Sequence, residues 1–120
     1  MLKRTMTYND YDDNERTEDF HFNLSKAEVL EMEMGVTGGM TQMLEKIMAE
    51  KDMKRIVEIF KDIVLRSYGI KSPDGKHFIK NKEISDAFSQ TEAYSDLFME
   101  LALDAGAAAK FVSGIIPQNM

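Results

Sequence analysis

The chain contains no cysteine, which excludes disulfides and thiolate-bound metals and fits a reducing compartment. Basic residues are in the minority, 15 Lys and Arg against 21 Asp and Glu, for a net charge of −6 at pH 7. A surface of that sign repels a phosphate backbone, so nucleic acid is not the expected partner. Long apolar runs are missing too: IVL at 63–65 and AGAAA at 105–109 fall far short of the ~20 residues a membrane helix needs. MLKRT is charged but no apolar stretch follows it, so no signal peptide is expected and cytoplasmic location is the default. The rest of the composition is ordinary for a globular protein, 43% apolar and 30% charged. The 120 residues suffice for one core, and two cores would each be too small, so 1–120 is expected to form a single domain.

Residues 2–8 and 16–23 are rich in Thr, Tyr and Phe and flank the acidic turn NDYDDNE, predicting a β-hairpin over about 2–23. Phe20 and Phe22 alternate with Asp19, His21 and Asn23, so one face of the second strand is apolar and His21 lies on the solvated one. An isolated hairpin is marginal in water and must pack on the helices C-terminal to it. Ser25 and Glu28 have capping-box spacing and predict a helix over about 25–34. Gly35, Gly38 and Gly39 interrupt it, and Thr37 or Thr41 then caps a helix carrying Met40, Met43, Leu44, Ile47 and Met48.

Asp52 is placed to cap a third helix with Ile56, Val57, Phe60, Ile63, Val64 and Tyr68 at helical spacing. Gly69 stands where a left-handed residue would end it, and SPDG at 72–75 predicts a surface loop over 69–80. Asn81 caps a short helix, Ser89 or Thr91 a longer one with Tyr94, Leu97, Phe98 and Leu101 on one side, and Asp104 a last alanine-rich one ended by Gly114 and Pro117. The expected fold is therefore mainly α: about five helices over roughly 25–116 with an N-terminal β-hairpin.

Candidate chemistry is sparse. The acidic turn fails as a calcium loop: counted from Asp10, position 6 is Glu15 where glycine is needed and position 12 is His21 where glutamate is needed. His21 and His77 stand apart without an HExxH context, and GVTGG matches no phosphate-binding pattern. No catalytic, cofactor-binding or metal residues are assigned, and no cofactor or enzymatic activity is expected.

Methionine is the exception, with ten in the chain and six from Met32 to Met53. Being unbranched and polarizable, it suits either a loosely packed core seam or a face that re-packs against varied apolar partners. Met34, Met40, Met43 and Met48 are the candidate partner contacts on these physical grounds, with Phe98 and Met99 behind them.

Three blocks, NERTEDFHFNLSKAEVLEMEM at 14–34, IFKDIVLRSYGIKSPDGKHFIKN at 59–81 and FSQTEAYSDLFMEL at 88–101, resemble the tail assembly chaperones of long-tailed, siphovirus-type bacteriophages. The resemblance spans most of residues 7–117 and has no short invariant motif, so it transfers no individual functional residue. It implies a non-catalytic assembly factor of the host cytoplasm, absent from the mature virion. Such a factor binds the tape measure protein and helps recruit tail tube subunits. Many members of that family are also made in a longer form by programmed frameshifting, which would be a further partner, and this chain would match the shorter form. The alternative is a structural virion subunit of the tail tube or head–tail connection, which would require more β-sheet than one hairpin.

Overall fold

A computed structural model describes residues 1–34, 49 and 53–116. The chain begins with β1, Leu2–Asn9, and β2, Glu15–Phe22, an antiparallel pair with Leu2 opposite Phe22 and Asn9 opposite Glu15. The acidic turn between them is organised by one carboxylate. Asp10 Oδ1 accepts the N–H groups of Asp12 at 2.9 Å and Asn14 at 3.0 Å, and Oδ2 meets Arg16 Nε at 2.5 Å. The guanidinium beside it and those backbone bonds hold the Asp10 carboxyl below its ordinary value.

Helix α1, Lys26–Met34, starts with the reciprocal bonds its sequence predicts: Glu28 N–H to Ser25 Oγ at 3.1 Å and Ser25 N–H to Glu28 Oε1 at 3.0 Å. The expected helix over Met40 to Met48 and the Asp52 cap lie outside the described residues. Helix α2, Met53–Ser67, turns its Ile56, Phe60, Ile63 and Val64 stripe into the core.

The mainly helical expectation is overturned beyond α2. Instead of a surface loop, Tyr68–Lys71 forms β3 and Phe78–Ile79 forms β4. Strand β3 pairs with β2 through His21–Gly69 and Phe22–Tyr68, and β4 pairs with β3 through Ile70–Ile79 and Lys71–Phe78. The result is an α+β fold, a four-stranded antiparallel sheet in the order β1-β2-β3-β4 with five helices among the described residues. The physical reason is the open edge of β2: the backbone groups of His21 and Asn23 point away from β1 and need partners, and α2 delivers Ser67 and Gly69 to that edge, Asn23 N–H donating to Ser67 O at 2.8 Å. SPDG still makes its turn, with Gly75 at φ 75 and Gly75 N–H on Ser72 O at 2.9 Å, but the turn links two strands.

Three capped helices close the chain. Asn81 Oδ1 accepts Ile84 N–H at 2.8 Å ahead of α3, Lys82–Ser89; Thr91 Oγ1 accepts Tyr94 N–H at 3.1 Å ahead of α4, Glu92–Leu103. Asp104 Oδ1 accepts the N–H groups of Gly106 and Ala107 ahead of α5, Ala105–Ile115. Gly114 does not end α5. It lies inside the helix where a Cβ would come 3.1 Å from Leu2 Cδ1, so its smallness serves the approach to β1. The sheet face bearing Phe20 and Phe22 meets these helices: Phe22 contacts Phe88 and Phe111, and Phe88 stacks on Tyr68 with centroids 4.0 Å apart. His21 lies on the other face, half-buried, between Lys3 and Gly69.

Lys80 fastens β4 to the first two helices. Its Nζ reaches Glu28 Oε2 at 2.6 Å, Asn23 O at 2.9 Å and Arg66 O at 3.2 Å. Burial alone would raise the Glu28 carboxyl, but the Lys80 and Ser25 hydrogen bonds and the ammonium charge outweigh it and hold the group below its ordinary value. A depressed carboxyl stabilises the fold fully above its unfolded value and loses that contribution as pH falls through the folded one. Urea unfolding from pH 7 down to pH 3 is therefore expected to show Glu28→Gln less stable than the parent at pH 7, with the gap closing below about pH 4.5. A gap that stays constant with pH would mean that the ion pair contributes nothing.

Candidate functional site

The sequence-based contact residues fall into two groups. Met40, Met43 and Met48 lie outside the described residues, and Met34 ends α1 with its side chain outside the description. Phe98 and Met99 both lie on α4 and point different ways. Phe98 is half-buried at the margin of the core, its ring centroid 5.9 Å from that of Tyr94. Met99 is 51% exposed.

Helix α4 has more apolar surface than its place in the core uses. Ala93, Leu97 and Leu101, spaced by four, are buried and face the other elements. Met99 and Leu103, also spaced by four, form a second stripe on the outside, Leu103 being 72% exposed. Side chains four apart on a helix lie side by side, about 5–6 Å between Cβ atoms, so the two make one ridge. A surface helix with a single partner needs one apolar stripe, and the second one faces solvent. Leu103 was not among the residues picked from sequence. The signal that finds it is the Met99 + 4 spacing, hidden because the 94, 97, 98 and 101 stripe absorbed the helical periodicity.

Carboxylates surround this ridge. Asp96 and Glu100 flank Met99 on α4, and Asp104 caps the helix that follows Leu103. Glu100 is held by Arg4 of β1 at 2.6 Å, which fixes α4 against the sheet. Near the other end of α4, Tyr11 on the hairpin turn lies by Glu92; desolvation first, then the Glu92 carboxylate, raises its phenol above the ordinary value. Tyr8, on the helix-facing side of β1, donates to Glu18, and that bond with burial and the Glu18 charge pushes its phenol up to about 12. These groups build the frame. The exposed ridge itself offers apolar contact beside Asp96 and Glu100, the second already paired with Arg4.

A second concavity, between α1, α2 and α3, is lined by charged groups, several of which are held in ion pairs. Arg66 pairs with Asp62 at 3.1 Å, Lys82 with Asp86 at 2.8 Å and Lys80 with Glu28. The first two are exposed i,i+4 pairs that serve the helix surface, and the third is the Lys80 fastening of α1 and α2.

A family model described as phage tail assembly chaperone matches residues 1–120. No curated protein and no solved structure matches the chain.

Proposed function

From the premise that this chain belongs to the phage tail assembly chaperones, we propose that it acts without catalysis, holding apolar helical surface of the tape measure protein and bringing tail tube subunits to it. It works in the cytoplasm of the bacterial host and leaves before the virion is complete. The observation that carries this reading is the outward stripe Met99–Leu103, apolar, exposed and edged by carboxylates. A long tape-measure helix whose apolar face awaits its tube would aggregate, and a chaperone ridge of soft side chains covers such a face without demanding one geometry. The net charge of −6 keeps the resulting complex dispersed.

The test is co-expression with the tape measure protein encoded by the same phage. The parent chain is expected to raise the soluble yield of the tape measure protein and to co-purify with it. Met99→Asp with Leu103→Asp is expected to keep the parent's circular dichroism, since both side chains already face solvent. Binding should fall by more than about tenfold, roughly 2 kcal/mol of lost apolar contact. No co-purification by the parent chain would refute tape-measure binding, whereas undiminished binding by the double variant would move the site elsewhere. Stoichiometric recovery of the protein from purified virions would favour a structural tail subunit instead.

A further inference from the structure

Strand β1 is the outermost strand of the sheet, with only β2 beside it among the described residues. The bond from Asp10 N–H to Asn14 O, 2.9 Å, fixes the phase of the hairpin ladder. Hydrogen-bonded pairs alternate along an antiparallel ladder, so positions 8, 6, 4 and 2 exchange bonds with 16, 18, 20 and 22. Lys3, Thr5, Thr7 and Asn9 therefore direct their N–H and C=O groups off the edge, and their side chains lie exposed on the face away from Phe20 and Phe22.

Soluble proteins blunt such an edge with proline, a bulge, short length or charge. Strand β1 runs eight residues in unbroken register with β2 and has no proline, and the stretch TMTYN from Thr5 to Asn9 has no charge. Its charges are gathered at the ends. Lys3 and Arg4 stand at one, and Asp10, Asp12, Asp13 and Glu15 follow the other.

We infer that β1 pairs antiparallel with β1 of a second copy about a two-fold axis, joining two four-stranded sheets into one continuous sheet. The distribution of charge selects this occupant. An antiparallel pair sets the basic end of each β1 beside the acidic turn of the other, twice by symmetry, while the overall charge of −6 disfavours contacts elsewhere between copies. The outward backbone groups belong to odd positions, so odd must face odd. Placing Thr5 opposite Thr7 and Lys3 opposite Asn9 makes roughly eight interstrand hydrogen bonds, against roughly six with Thr5 opposite Thr5. In that register Lys3 lies one strand from Glu15, the β2 partner of Asn9, and Met6 faces its own copy on the helix-facing side. This interface is separate from the Met99–Leu103 ridge and stands or falls without it.

Sedimentation equilibrium over a concentration series tests the pairing with two variants of opposite expectation. Thr5→Lys with Thr7→Lys puts lysine opposite lysine twice and is expected to weaken dimerisation about tenfold or more, whereas Thr5→Lys with Thr7→Glu puts lysine opposite glutamate and keeps it. Thr7→Pro removes an N–H that points off the edge together with the exposed Thr7–Thr17 hydroxyl contact, and it should give a folded monomer even where the double lysine unfolds. A parent chain that is monomeric at every concentration overturns the inference, including one whose edge is taken only by a client strand. So does a dimer that survives both the lysine pair and the proline, or a lysine–glutamate variant that is folded and monomeric.

Discussion

Replacing Phe22 with alanine is expected to cost about 3–5 kcal/mol of stability, a large part of what a small domain possesses. The side chain has no exposure, and its ring lies 5.6 Å from Tyr68, 5.8 Å from Phe88 and 5.2 Å from Phe111 by centroid. Those three partners sit on β3, α3 and α5, so one ring on β2 joins the sheet to two helices and to the strand that extends it. Two of the contacts are edge-on, the geometry in which aromatic quadrupoles attract, and each adds about 0.5–1.5 kcal/mol beyond the area buried. Neighbours held by Tyr68–Phe88 stacking cannot collapse into the space, so a cavity persists. At about 4 °C per kcal/mol for a chain of this size, the melting temperature should fall by roughly 12–20 °C. Phe98→Ala, at the half-buried margin, is the control and should lose less than half as much. A Phe22 loss below about 1 kcal/mol would mean that the hairpin is not anchored through this cluster.

What could be foreseen from sequence and what could not divides along the range of the determining interaction. The hairpin strands, the α2 stripe and the caps at Ser25, Asn81, Thr91 and Asp104 depend on residues a few positions apart, and each is present. Strands β3 and β4 span four and two residues, too few for alternation to register, and the pairing of β3 is set by β2 48 positions away, as in His21 with Gly69. The same division governs the candidate site. The 94, 97, 98 and 101 periodicity puts Phe98 on the apolar side of the helix and Met99 off it, as found, but it gives no reason to join Leu103 to Met99. Only the packing of Leu97 and Leu101 inward orients α4 and turns Met99 and Leu103 out. Met40, Met43 and Met48, chosen for their chemistry, lie outside the described residues, and the choice between a core seam and a binding face stays with them.

Gly69 exposes the difference most sharply, and its substitution is the second large expected effect. Sequence places it as a left-handed helix stop, a role in which asparagine is the best replacement. In the structure it is buried within β3, and its φ is not positive. A Cβ there would lie 2.7 Å from Phe78 Cε2, 2.8 Å from Lys80 Cγ and 2.9 Å from Ile79 O. The two side chains can swing away, but the carbonyl is backbone and yields only if β4 moves. Moving β4 draws Lys80 off Glu28, Asn23 O and Arg66 O, so the clash propagates into the fastening of α1 and α2. Gly69→Ala is therefore expected to cost about 2–3 kcal/mol, at the upper end for overpacking. Gly69→Asn, larger by several atoms, should cost more, the reverse of the order for a left-handed stop. The loss should also couple to Glu28: with Lys80 displaced, adding Glu28→Gln to Gly69→Ala should cost less than Glu28→Gln costs alone, by about 0.5 kcal/mol or more. Urea unfolding of the four chains in this cycle, together with Gly69→Asn, checks both statements. Asparagine tolerated better than alanine, or strict additivity with Glu28→Gln, would show that β4 does not press on Gly69.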